Sequence, residues 1–118
     1  MKEEKFRIVN QVKTLIINVD ENLTSFPKKE IELKHKIKQT AYDILPIVYE
    51  GNITTDILKR KDLQEKAIAK LKYLDFLINL CYDKKIINGK KYLRFGENID
   101  NIIRYIVAWR NTTNSKIG

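Results

Sequence analysis

The chain has 118 residues and carries 23 Lys and Arg against 15 Asp and Glu, a formal net charge of +8 at pH 7. The length fits one domain. With 43% hydrophobic and 32% charged residues, the composition excludes a disordered polyelectrolyte. No apolar run reaches the ~20 residues that a membrane-spanning helix needs.

Four amphipathic blocks follow one another. Block one is expected from about Glu3 to Thr24. Val9, Val12, Ile16, Val19 and Leu23 step by three and four, which puts them on one helical stripe. Ile8 and Leu15 widen it, and Arg7, Asn10, Thr14, Asn18 and Glu21 fall on the far side. The β-branched residues favour strand locally, but the period is helical.

Ser25-Phe26-Pro27 makes the first break, since proline suits the first turn of a helix, where its missing N–H costs nothing. Block two runs from Pro27 to about Glu50 on a stripe of Leu33, Ile37, Ala41, Ile44 and Val48. Pro46 removes a backbone donor inside it, so a kink or an early end near Leu45 is predicted. Gly51 to Thr55 reads as a loop.

Block three starts at Thr55 or at Asp62, which has Glu65 three residues on in the manner of a capping box. Leu63, Ala67, Leu71, Leu74, Ile78 and Cys81 form its stripe, and it is expected to end near Ile86, with Asn88-Gly89 as the stop. Block four runs from Lys90 to about Asn111, with Tyr92, Phe95, Ile99, Ile102, Ile103, Ile106 and Trp109 inward. Arg94, Asn98, Asn101 and Arg104 lie broadly opposite, and residues 112–118 read as a polar, frayed tail. Short connections favour antiparallel neighbours. The predicted architecture is all-α: an up-down-up-down antiparallel four-helix bundle over residues 1–111.

Catalytic and metal chemistry finds little to stand on. His35 sits between Lys34 and Lys36, with no second His, no Cys pair and no Glu-x-x-His. Cys81, the single cysteine, lies among Leu77, Ile78 and Leu80 and reads as core. Asp75, Asp83, Glu97 and Asp100 suggest helix-surface ion pairs more than an acid–base pair. A Gly-rich phosphate loop is missing. The expectation is a protein that is not an enzyme, uses no cofactor and binds no metal. One cysteine and an N-terminus without a signal peptide's apolar core fit a cytoplasmic setting.

The basic residues carry the functional reading. Lys59-Arg60-Lys61 opens block three, Lys84, Lys85, Lys90, Lys91 and Arg94 surround the turn between blocks three and four, and further lysines crowd block two. Such groups bind phosphates by charge and counterion release, so RNA or DNA is the expected partner. Solvated lysines that only aid solubility are the plain alternative for any single one. Tyr73, Tyr92 and Trp109 read as core or subunit-interface residues, while Tyr42 and Tyr49 remain open for base stacking.

Several landmarks between Phe26 and Trp109 are shared with one family. They are Phe26-Pro27-Lys28-Lys29-Glu30, Ile37-Lys38-Gln39, Tyr42-Asp43-Ile44-Leu45, the apolar Leu71–Tyr82 segment, Lys90-Lys91-Tyr92, and Arg104 five residues before Trp109. Together they resemble the Avd-like four-helix-bundle proteins, the accessory variability determinants of diversity-generating retroelements, which are related to the bundle proteins of ribosomal RNA intervening sequences. The chain departs from that pattern at Asn79, where an arginine is common, and at Ile103, Val107 and Ala108, where the family has small residues. The resemblance implies a homopentameric barrel that associates with a reverse transcriptase and its template RNA and supports mutagenic complementary-DNA synthesis without catalysis of its own. It singles out Arg104 for a polar contact, and Tyr92 and Trp109 for packing or a subunit interface. The alternative is an intervening-sequence-type bundle serving as a protein-interaction module with no retroelement role.

Overall fold

The computed structural model describes residues 2–117, with side chains from Phe6 onward. The outermost residues of the two expected segments, Met1 and Gly118, lie outside that range. The described residues form four α-helices: α1 (Lys2–Asn22), α2 (Ile31–Ile53), α3 (Ile57–Asp83) and α4 (Gly89–Ile117). One turn of 3₁₀ helix, Lys28–Glu30, precedes α2, and no strand forms among the described residues.

The helices close into a ring in which the backbones of α1 and α2, α2 and α3, α3 and α4, and α4 and α1 lie side by side, while the diagonal α2–α4 pair meets through the Trp109 side chain at Gly51. Side-chain contacts fix the directions. On the α2–α3 seam Asp43 meets Lys70 and Lys36 lies over Tyr73. On the α3–α4 seam Tyr82 stacks on Tyr92 and Glu65 meets Arg110. On the α4–α1 seam Tyr105 meets Arg7 and Lys91 meets Asn22. In each pair one number rises as the other falls, so neighbours run antiparallel. The predicted stripes make the core: Val12, Val19, Ile37, Ile44, Leu71, Ile78, Ile99 and Ile106 are all buried.

Four boundaries differ from the sequence expectation, each for a visible reason. Of the two outcomes expected at Pro46 the early end does not occur, since α2 runs through it to Ile53. Pro46 is exposed, as is Tyr42 one turn earlier, so the carbonyl that loses its partner lies on the side facing water. Gly51 is not in a loop. It is buried inside the last turns of α2, where the Trp109 ring occupies the space that a side chain would take. The cap of α3 is neither Thr55 nor Asp62 but Asp56, whose carboxylate accepts from the N–H groups of Leu58 and Lys59 at 3.1 and 3.2 Å. The chain turns out of α3 earlier than Ile86. Lys85 adopts φ 62°, Ile86 N–H donates to Cys81 O at 2.8 Å, and Lys85 N–H donates to Tyr82 O at 3.0 Å. This is a Schellman end with lysine where glycine is usual. Asn88 then serves as a start rather than a stop, accepting from Lys91 N–H at 2.9 Å.

The C-terminal segment is also helical. α4 continues past Asn111 to Ile117 because Thr113 is buried and accepts a hydrogen bond from Gln64 Nε2 at 3.0 Å. A polar sequence is held in place there by a buried polar pair across the α3–α4 seam.

Two glycines give a test of this packing. A Cβ on Gly51 would stand 2.9 Å from Trp109 Cη2, whereas one on Gly96 would meet nothing within 4 Å. Alanine favours helix over glycine by about 1 kcal/mol, and overpacking costs about 1–3 kcal/mol. Gly51→Ala is expected to lower the melting temperature and Gly96→Ala to raise it, read by circular dichroism. The same sign for both would contradict the Trp109 contact.

Candidate nucleic-acid interface

Antiparallel order brings the first and third connections to one end of the bundle and the second to the other. The basic groups predicted from sequence are therefore split. Lys84, Lys85, Lys90, Lys91 and Arg94 gather at the first end together with Lys28 and Lys29. Lys59, Arg60 and Lys61 sit at the far end of α3, ~37 Å away by helical rise. Arg104 is exposed on α4, ten residues beyond Arg94, ~15 Å along the axis.

The two ends differ in balance. Residues 23–31 and 83–94 hold seven Lys and Arg against Glu30 and Asp83. At the other end the Lys59–Lys61 run is flanked by Glu50, Asp56 and Asp62. Within these connecting segments the first end carries the larger excess of positive charge, with Glu21 and Glu32 at its border and Arg110 and Lys116 of α4 at the other end.

Three of the predicted cations already have work inside the chain. Arg60 donates through Nε to Gly51 O at 3.2 Å and through NH2 to Thr54 O at 2.6 Å, closing the C-terminus of α2. Lys91 Nζ donates to Asn22 O at 3.1 Å and closes α1 in the same way. A cation at a helix C-terminus satisfies free carbonyls and the helix dipole together. Lys84 pairs with Glu30 at 3.3 Å. Lys59, Lys85, Lys90, Arg94 and Arg104 are exposed, and Lys61 is half-buried.

The aromatic residues sort similarly. Trp109 is 2% exposed and packs within the single chain against Gly51 rather than standing at the surface. Tyr92 is half-buried and stacks on Tyr82 at 4.5 Å between ring centres, beside the basic end. Tyr42 donates to Asp20 Oδ1 at 2.7 Å, which raises its phenol pKa, with burial and the Asp20 charge adding to the effect. Tyr73 lies under Lys36 Nζ at 5.9 Å. Tyr49 is exposed.

The α4–α1 seam holds a feature that the sequence reading split between two solvent faces. A cleft of about 520 Å³ opens there, lined by Asn10, Gln11 and Thr14 from α1 and by Asn98 and Asn101 from α4. Buried Leu15 and Ile102 lie at its base, and Phe6, 69% exposed, at its edge. Arg7 also lines it, with NH1 donating to Tyr105 Oη at 2.7 Å and the guanidinium over that ring at 5.1 Å. The polar positions of the two helices, read separately as outward, line one cleft because the helices face each other across the seam.

No group of His, Cys, Asp and Glu that could hold a metal occurs among the described residues. Burial pushes the Cys81 thiol up to about 11, with Glu30 adding to this and Lys84 opposing it. No family model matches the chain, and neither a curated protein nor a solved structure matches it significantly. No described helix is long and apolar enough to cross a membrane.

The remaining titratable feature is Asp75, whose carboxyl is held above the ordinary aspartate range by burial and then by the charge of Asp100 across the α3–α4 seam. A raised folded-state value favours folding below the unfolded value near 3.8 and loses that benefit as pH rises through the folded value. Asp75→Asn is therefore expected to raise the melting temperature at pH 7 and to give no gain near pH 3. An equal gain at both pH values would mean that packing, not charge, is responsible.

Proposed function

We propose that this protein is a non-catalytic accessory factor that holds nucleic acid on the basic end of its bundle. The supporting observation is the gathering of seven cations against two carboxylates from segments 23–31 and 83–94. Charge of that kind binds phosphates by counterion release and needs no base-edge readout. Following the sequence resemblance, the nucleic acid is the template RNA of a diversity-generating retroelement and the protein partner is its reverse transcriptase. The bundle then supports mutagenic complementary-DNA synthesis as a scaffold.

The same resemblance assigns a homopentamer. Five basic ends held in one ring act as a multivalent surface, whose strength exceeds that of a single end. Light scattering after size exclusion is expected to give a mass of ~70 kDa, five times the 14.0 kDa chain. A monomer at moderate and high salt would contradict the assembly.

The end of the bundle that binds is tested by salt titration with a single-stranded RNA. Each lost phosphate contact on a single strand makes the slope of log affinity against log salt shallower by about 0.7. Lys85→Gln with Lys90→Gln is expected to reduce the slope by about 1.4 and weaken binding at low salt. Lys59→Gln with Lys61→Gln, at the far end, is expected to leave the slope unchanged. The opposite pattern would move the site to the α2–α3 end, and salt-independent binding would overturn the reading.

A further inference from the structure

We propose that the cleft on the α4–α1 seam receives one unpaired nucleobase. The inference rests on the preceding reading only for how a strand arrives. A carboxamide presents a donor and an acceptor side by side, the pattern that pairs bidentately with a base edge. Asn98 and Asn101 offer that pattern from one wall and Gln11 from the other. Gln11 lines the cleft and is half-buried, so its carboxamide is held between the helices rather than free in solvent. Phe6 presents an exposed ring at the edge, and a base can stack on such a face whatever its sequence.

Charge and size agree with this ligand. The cleft, about 520 Å³, falls in the range of small-ligand sites. Among the described residues its lining includes no carboxylate to repel a phosphate, and the charged residue there is Arg7. Arg94 lies one turn before Asn98 on α4, ~6 Å along the axis, and leads back to the basic end. A strand held there by its phosphates can therefore place a base between the carboxamides. This assigns phosphate binding to the end of the bundle and base contact to its seam.

The test uses the full chain, labelled with nitrogen-15, titrated with the four ribonucleoside monophosphates and with ribose 5-phosphate as the baseless control. The side-chain amide resonances of Gln11, Asn98 and Asn101 are expected to shift with at least one nucleotide and not with ribose 5-phosphate. Asn98→Ala with Asn101→Ala keeps helix propensity and is expected to weaken single-stranded RNA binding at least tenfold while leaving its salt slope unchanged. No shift with any nucleotide, or equal shifts with ribose 5-phosphate, would overturn the proposal. If the variant binds RNA as tightly as the wild type, the cleft proposal falls and the basic-end reading stands. Nucleotide-specific shifts without RNA binding would support the cleft and overturn the basic end.

Discussion

Connections of eight, three and five residues are too short to return a chain along helices of 21 to 29 residues. Eight extended residues reach at most ~29 Å, less than the ~32 Å length of α1 that the first connection would have to retrace. Each helix must therefore start where its predecessor ended, and the ring that results is antiparallel throughout. Almost everything else follows from that constraint. It puts the first and third connections at one end, joins their lysines into one region, and sets the Lys59–Lys61 run at the other. It also sets α1 beside α4, so that polar faces from opposite ends of the sequence line one cleft.

Counting charge is different from locating usable charge. The +8 of the chain says only that an excess exists. Arg60 and Lys91 are held on the C-terminal carbonyls of α2 and α1, and Lys84 is held by Glu30. A cation at such a helix end is worth about 0.3–1 kcal/mol, so these residues serve the fold whether or not a phosphate is near. Lys85, Lys90 and Arg94 are exposed at the same end and supply the charge that a polyanion can meet. Lys85 has a further role, since its left-handed backbone turns the chain out of α3. The fold and the proposed binding surface therefore draw on the same few residues of that turn.

The sequence showed much of this fold. Apolar residues at steps of three and four located all four helices, because their inward positions meet a core on one side only. Most of the expected stripe residues are buried; Ile16, Leu33, Ile103 and Tyr92 are half-buried against the core. The misread boundaries share one cause, which is tertiary context overriding a local rule. Pro46 survives because its side of α2 faces water. Gly51 looks like a loop residue in sequence and is a packing residue in space, matched to a tryptophan fifty-eight positions away. Thr113 belongs to a polar stretch but is buried by Gln64. The candidate site was half legible. The α3–α4 turn cluster could be read from neighbouring lysines, but the distance to Lys59 could not be read without knowing which connections share an end. The carboxamide cleft gave no signal, because its walls lie some ninety residues apart and each is ordinary as a solvent-facing stripe.

The proposed function requires a strand to lie against the end made by residues 23–31 and 83–94. Ultraviolet crosslinking of a bound single-stranded RNA, followed by mapping of the modified peptides, tests this most directly. Tyr82 and Tyr92 stand beside that end and can report contact. Crosslinks between residues 82 and 94, joined by a crosslink at Phe6 on the α4–α1 cleft, are the predicted result. Crosslinks confined to the α2–α3 turn around Lys59, or spread evenly over all four helices, would contradict it.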